Sequence, residues 1–349
     1  MPAPNRRQRN QVLRLLEEFE PRLAAAFIAS VDELRGAVNM AELEAALRAG
    51  NIEAAMRALR IDRAAFIALE TQIAASYTAS GTAMAASVSA LTNPGTGSRL
   101  FIRFDVRNPA AERWVAEHSS NLIVEIIADQ RAAARVAIEA GMARGDNPRR
   151  TALDIVGRIN RATGRREGGI VGLTSGQSQW VENARAELAS GDPAMLRKYL
   201  DRKARDKRFD RSVLKAIREG APLPADTVAR ATARYSDSLL RLRGETIGRT
   251  EALSSIHASR AETMRQAAES GQINPARTMK VWSSTGDSRT RDSHMDMDGE
   301  EVRFDEPFQT PSGALLMFPT DSSMGAPAEE TIQCRCSVSY RVDYFAGVA

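Results

Sequence analysis

The chain has 349 residues, 43% hydrophobic, 26% charged and 5% aromatic, with 23 glycines and 14 prolines, which excludes both a collagen-like repeat and a wholly disordered chain. The length allows two or three units that each bury a core, and abundant Ala and Arg beside few aromatics favours helices. The net charge of +4 hides a segregation: Arg197 to Arg218 holds ten basic and three acidic residues, Arg277 to Ala349 seven basic and twelve acidic.

In chain order, Arg6, Arg7 and Arg9 precede Leu13, Leu15 and Leu16, but Glu17 and Glu18 interrupt the apolar run, so no secretion signal is expected. No run reaches the roughly 18 or more apolar residues of a membrane span, the longest candidate being the weakly hydrophobic Ala74 to Leu91, so no membrane is expected in assembly. Apolar residues from Val12 to Leu34 recur at steps of three and four, predicting an amphipathic helix disturbed at Pro21. Shorter helices are predicted at Met40 to Arg48, Asn51 to Leu59 and Arg63 to Ser76, a loop at Leu91 to Ser98, and a short strand or extended arm at Leu100 to Val106. Asn108-Pro109, Asn147-Pro148, Thr174 and Asp192-Pro193 each open a further helix by supplying a cap, three of them with proline in the first turn. Ala225 to Ser270 reads as nearly continuous helix with weak points at Gly244 and Gly248. Beyond Gly271 short β-like runs appear at Thr278 to Ser283, Glu301 to Phe304, Leu315 to Phe318 and Arg335 to Val342.

The expected fold is mainly α, an elongated helical body followed by a small C-terminal α+β domain of short antiparallel strands. The expected divisions are 1–98, 99–224 with the basic segment 197–218, and 225–349. Within the basic segment, Arg197, Lys198, Arg202, Lys203, Arg205, Lys207, Arg208 and Arg211 are candidate phosphate contacts for non-specific DNA, since only Tyr199 and Phe209 could stack on bases. A solvated helix face with local Asp partners is the competing reading.

Two tempting motifs fail. The glycines of Gly164 to Gly172 lack the Lys-Ser/Thr of a phosphate loop, and Asp296-Met-Asp298-Gly299 does not keep calcium-loop spacing. More informative is Trp282 followed by Asp287-Ser-Arg289-Thr-Arg291-Asp-Ser-His294, then Gly299, Pro307-Phe308, Gly313, Pro319 and Cys334-Arg335-Cys336, with Arg249-Thr250-Glu251 upstream. This compound pattern, from Arg249 to Tyr340, resembles the phage Mu F-like minor head proteins, also called phage head morphogenesis proteins. The resemblance implies a non-enzymatic minor capsid component of a tailed phage or prophage, made in the host cytoplasm and built into the virion head near the portal. It further implies a role in head assembly or DNA packaging and delivery, with portal, capsid or scaffold proteins as partners.

Read by themselves, two cysteines spaced two apart on a strand face one side, with Arg335 on the other, and a disulfide between them is disfavoured. With His294 they supply three of four tetrahedral zinc ligands, Asp287 or Asp292 being the candidate fourth; alternatively they are buried thiols and a histidine bonded to a carbonyl. Asp287, Arg289 and Arg291 are expected to form a charge-assisted network, with Glu251 receiving a second guanidinium. That network is preferred to a transferase or hydrolase site using Glu251 or His294 as base, because no nucleophile with its own base is evident. His118 and His257 are expected at the surface or core edge, and Trp282 as a core anchor.

Overall fold

The computed structural model describes residues 6–89, 97 and 101–342. The fold is mainly α with short antiparallel strands, as the sequence predicts. Helix α1 (Arg6–Ala37) is followed by α2 (Met40–Arg48), α3 (Ile52–Ala58), α4 (Ile67–Ser89), α5 (Pro109–Ala143) and α6 (Pro148–Val156). A two-residue hairpin, β1 (Arg158–Ile159) with β2 (Arg166–Glu167), leads to α7 (Ser175–Ala189), α8 (Pro193–Asp201), α9 (Asp210–Glu219) and α10 (Ala225–Glu269). The C-terminal part alternates β3 (Thr278–Ser283), α11 (Asp292–Asp296), β4 (Glu301–Arg303), β5 (Phe308–Gln309), β6 (Leu315–Leu316), α12 (Ala328–Thr331) and β7 (Ser337–Val342). Among the described residues no helix is long and apolar enough to cross a membrane.

Capping chemistry explains several boundaries. Asn147 and Asp192 accept backbone N–H groups of the first turns of α6 and α8, each with proline just inside, and Thr174 and Gln177 form a reciprocal capping box on α7. Helix α1 continues through Pro21, which is exposed, so the carbonyl it leaves unbonded is open to water. The segment expected as a strand or extended arm at Leu100 to Val106 has no ladder partner over residues 101–105, and the loop at Leu91 to Ser98 lies, Gly97 apart, outside the described residues. Phe104 instead packs on Tyr77, their rings 5.8 Å apart.

Contacts group the chain into two units, each assembled from separated stretches, and the divisions fall inside α1, α4, α5 and α10. One unit comprises Ala26–Ala68 and Ser120–Gly244. Its core includes Phe27, Val31, Leu43, Ile123, Ile155, Leu188 and Leu239. The hairpin there depends on Gly169, at φ 91°, where a Cβ would lie 2.5 Å from the Gly157 nitrogen.

The other unit comprises Met1–Ala25, Leu69–Ser119 and Glu245–Ala349. Helix α10 is buried on every side from Glu251 to Arg260, and at Gly248 a Cβ would lie 2.6 Å from the Glu20 carbonyl oxygen of α1. A continuous helix therefore crosses the expected weak point, because glycine lets the two backbones approach. Strand β3 is central in a sheet of order β4-β3-β7, pairing Val281 with Glu301 on one side and Ser339 on the other. Gln8 of α1 extends this sheet, its side chain bonding both the N–H and the C=O of Tyr340 at 2.9 Å.

Candidate functional site

Three consecutive residues of α10 point in different directions and tie it to different segments. Arg249 makes a two-pronged ion pair with Glu20 at 2.9 and 3.1 Å, and Thr250 Oγ1 accepts the Gln333 N–H at 3.1 Å. Glu251 lies 2.6 Å from His118 Nε2, and the His118 ring stacks on Trp114 at 4.4 Å. A helix turns about 100° per residue, which explains why an Arg-Thr-Glu triplet reaches three neighbours. The guanidinium expected at Glu251 is thus replaced by an imidazole.

Gln333, at φ 57°, turns the chain beside α10 into Cys334-Arg335-Cys336. These residues form an extended lead-in rather than strand, since β7 begins at Ser337, yet the alternation expected of a strand persists. Both sulfurs face His294, Cys334 Sγ at 3.5 Å and Cys336 Sγ at 3.4 Å from Nδ1, and both thiols are free. Arg335 points away and grips Asp287 through two hydrogen bonds, one of 2.6 Å and one shorter. That pairing holds the Asp287 carboxyl well below the usual carboxylate range. The partner of Asp287 is therefore Arg335 and not Arg289 or Arg291. An extended loop would be needed to align those two with Asp287, but Arg291 leads into α11 and donates to the Ile332 carbonyl, while Arg289 is exposed and bonds Asp287 through its backbone N–H at 3.0 Å.

His294 is fixed from both ends. Its Nε2 lies 3.0 Å from Glu330 Oε2, and Glu330 accepts hydrogen bonds from Ser312 Oγ at 2.7 Å and Ser293 Oγ at 3.0 Å. Burial raises the Glu330 pKa, but the Ser312 and Ser293 hydrogen bonds and nearby His294 outweigh it and leave the carboxyl below its ordinary value. An Nε2–H facing the carboxylate leaves Nδ1 with its lone pair towards the sulfurs. Cys334 is held well below the ordinary thiol range by hydrogen bonds from Cys336 and then His294, while the shared hydrogen bond and burial push Cys336 up. Cys334, Cys336, His294 and Glu330 are 0%, 2%, 1% and 6% exposed, so the set has a nucleophile, a base and an orienting acid but no open face for a substrate.

Trp282 closes the site as the expected core anchor, its ring edge-on to His294 and to Phe308, both at 5.2 Å. Gly299, at φ 81°, returns the chain so that its N–H bonds the Trp282 carbonyl at 2.9 Å. His257 is fully buried, not at the surface or core edge, because α10 is enclosed all round there. Its Nε2 lies 3.3 Å from the Cys336 carbonyl oxygen, and burial followed by nearby Arg260 lowers its pKa to about 3. Asp292 is exposed and Asp287 is taken by Arg335, so neither expected fourth ligand joins the cluster; among the described residues it consists of His294, Cys334 and Cys336. Glu330 and His257 are the participants that sequence reasoning missed. The adjacent Glu329-Glu330 pair offered no sign of which carboxylate turns inward.

The basic segment divides into two populations. Arg202 is half-buried and bidentate on Glu187 at 2.7 Å, and Arg205 pairs with Asp210 at 2.9 and 3.0 Å. Arg197, Lys198, Lys203, Lys207, Arg208 and Arg211 are exposed, Arg208 with its guanidinium on Asp206.

Residues 207–339 match the family model described as Phage Mu protein F like protein, and over this segment the chain is similar to that family. The chain is also 33% identical over 106 residues to the Uncharacterized protein YqbB of Bacillus subtilis (strain 168). That match covers 30% of this chain and 32% of the relative, so the chain spans about a third of the relative's length. No solved structure matches.

Proposed function

We propose, from the family match at residues 207–339, that this chain is a structural head morphogenesis protein of a tailed phage or prophage. It acts near the portal during head assembly or DNA packaging and delivery, contacts portal, capsid or scaffold proteins, and resides in the virion head. The observation that carries this reading is the family match over the segment that contains most of the compound motif. The burial of the motif's two candidate bases supports a non-enzymatic role. Glu251 and His294, the two bases an effector enzyme would use, are each nearly inaccessible and have different partners, His118 and Glu330. Deleting the gene from the phage or prophage that encodes it tests the reading. The expected outcome is a loss of infectious heads, with the chain detected in purified wild-type particles by mass spectrometry. A normal yield of infectious, DNA-filled heads, or particles devoid of the chain, would overturn it.

A second reading, non-specific contact with the packaged DNA, is favoured by the exposed cations between Arg197 and Arg211. It adds a ligand to the same head protein and does not compete with the first.

A further inference from the structure

We propose that the chain binds one zinc ion through His294 Nδ1, Cys334 Sγ and Cys336 Sγ, as a structural metal that fixes β7 and α12 to the loop bearing α11. The inference rests on the local geometry alone and stands whether or not the protein serves in a phage head.

The first argument is distance. With Zn–S near 2.3 Å and Zn–N near 2.0–2.1 Å, a tetrahedral ion sets its sulfur and nitrogen donors about 3.5 Å apart. The two sulfur-to-Nδ1 separations are 3.5 and 3.4 Å, and all three donor atoms lie within 4.8 Å of one another. Both sulfur-to-nitrogen separations are therefore those that a single tetrahedral ion sets.

The second argument is the surrounding shell. A histidine that binds metal through one nitrogen commonly gives its other N–H to a carboxylate, which sets the tautomer and the ring plane. Glu330 Oε2 lies 3.0 Å from His294 Nε2, an ion-pair contact at that distance without hydrogen-bond alignment, and is itself held by Ser293 and Ser312. The Cys336 N–H points at Cys334 Sγ at 3.4 Å, and the Trp282 Nε1 donor is buried with no hydrogen-bond partner. Both are donors suited to thiolates.

The third argument is charge. Two thiolates and a neutral imidazole cancel the charge of a divalent ion, so a closed site gains no net charge on binding. Soft sulfur donors combined with imidazole favour zinc over magnesium, calcium or manganese. Among the described residues the donor group consists of these three side chains.

The test uses the full-length chain. Protein purified from zinc-supplemented medium should contain one equivalent of zinc by elemental analysis. Metal-free chain titrated with Co2+ should develop tetrahedral visible absorption and a thiolate-to-cobalt charge-transfer band, saturating at one equivalent. Glu330→Gln should retain that stoichiometry while weakening Zn2+ affinity by about 10–100-fold in a chelator competition. Cys334→Ser and Cys336→Ser should each abolish the charge-transfer contribution of the lost sulfur. If these serine variants fail to fold, the wild-type Co2+ spectrum and the Glu330→Gln competition still decide. A folded wild-type chain that carries no zinc and gives no charge-transfer band with Co2+ would overturn the proposal, as would unaltered Zn2+ affinity in a folded Cys336→Ser chain.

Discussion

The C-terminal strands around Trp282 and the basic segment from Arg197 to Arg218 use charged residues in opposite ways. Around Trp282 the polar groups are turned inward and matched: His294 with Glu330, and Lys280 with the Met317 carbonyl at 2.7 Å. Even at its edge Arg335 is spent on Asp287. In the basic segment only Arg202 and Arg205 are held in this way, and most of the other cations stand in solvent. A buried ionic group left without its partner costs far more than an exposed one, so the first arrangement dictates a conformation and the second leaves charge available for a partner. Motif density and charge density are thus signs of different things in one chain.

The most forceful way to break the comparison is to remove the side chain at the centre of the inward-facing set. Trp282 is fully buried against His294 and Phe308, so Trp282→Ala should destabilise the unit containing it by about 3–5 kcal/mol. Urea unfolding followed by circular dichroism should show a large shift in midpoint. A loss below about 1 kcal/mol would mean that the polar contacts, and not the apolar anchor, organise these strands.

The helices and the Trp282 anchor were legible because their signals are local. The period from Val12 to Leu34, the Asn147-Pro148 and Asp192-Pro193 caps and the Thr174 box all lie within one or two turns of what they determine. The shared face of Cys334 and Cys336 was legible for the same reason, since alternation needs only an extended backbone. The Arg335–Asp287 and His294–Glu330 pairs were not, because each joins residues tens of positions apart and no spacing rule selects among the available carboxylates. His257 was misplaced because periodicity assumes one buried stripe, and α10 is enclosed on all sides from Glu251 to Arg260. Nor does anything local mark the passage from one unit to the other, which occurs in mid-helix.

Lys280 sharpens the comparison, since it is a cation treated as a core residue. It lies in β3 on the same face as Trp282, with its ammonium 5.0 Å from the Phe308 ring. Burial lowers its pKa to about 8 against an ordinary 10.5, although Asp321, Asp305 and Glu306 oppose the shift. Between these values the unfolded chain keeps a proton that the folded chain has released, so stability contributed by this site rises with pH from about 8 to 10.5. The full change is roughly 3 kcal/mol as an upper bound. Subtracting the stability curve of Lys280→Met from that of wild type should isolate this rise and cancel the tyrosines that titrate nearby in pH. A flat difference would show that the ammonium remains hydrated in the folded chain.

The smallest effect on stability is expected where the charges are outermost, and there the effect on binding should be largest. Lys203, Lys207 and Arg211 are exposed, so replacing all three with glutamine should change unfolding by no more than about 0.5 kcal/mol. If the segment neutralises phosphates, each lost contact removes about 0.9 from the slope of log affinity against log salt, and the triple variant should flatten that slope by roughly 3 on double-stranded DNA. Fluorescence anisotropy over a salt series measures both affinity and slope. Arg202 and Arg205 are unsuitable for this purpose, because their loss would strand Glu187 and Asp210 and confound binding with folding. An unchanged slope in the folded triple variant would reduce the exposed cations to a solvated helix face, and the contrast with the strands around Trp282 would then be one of burial alone.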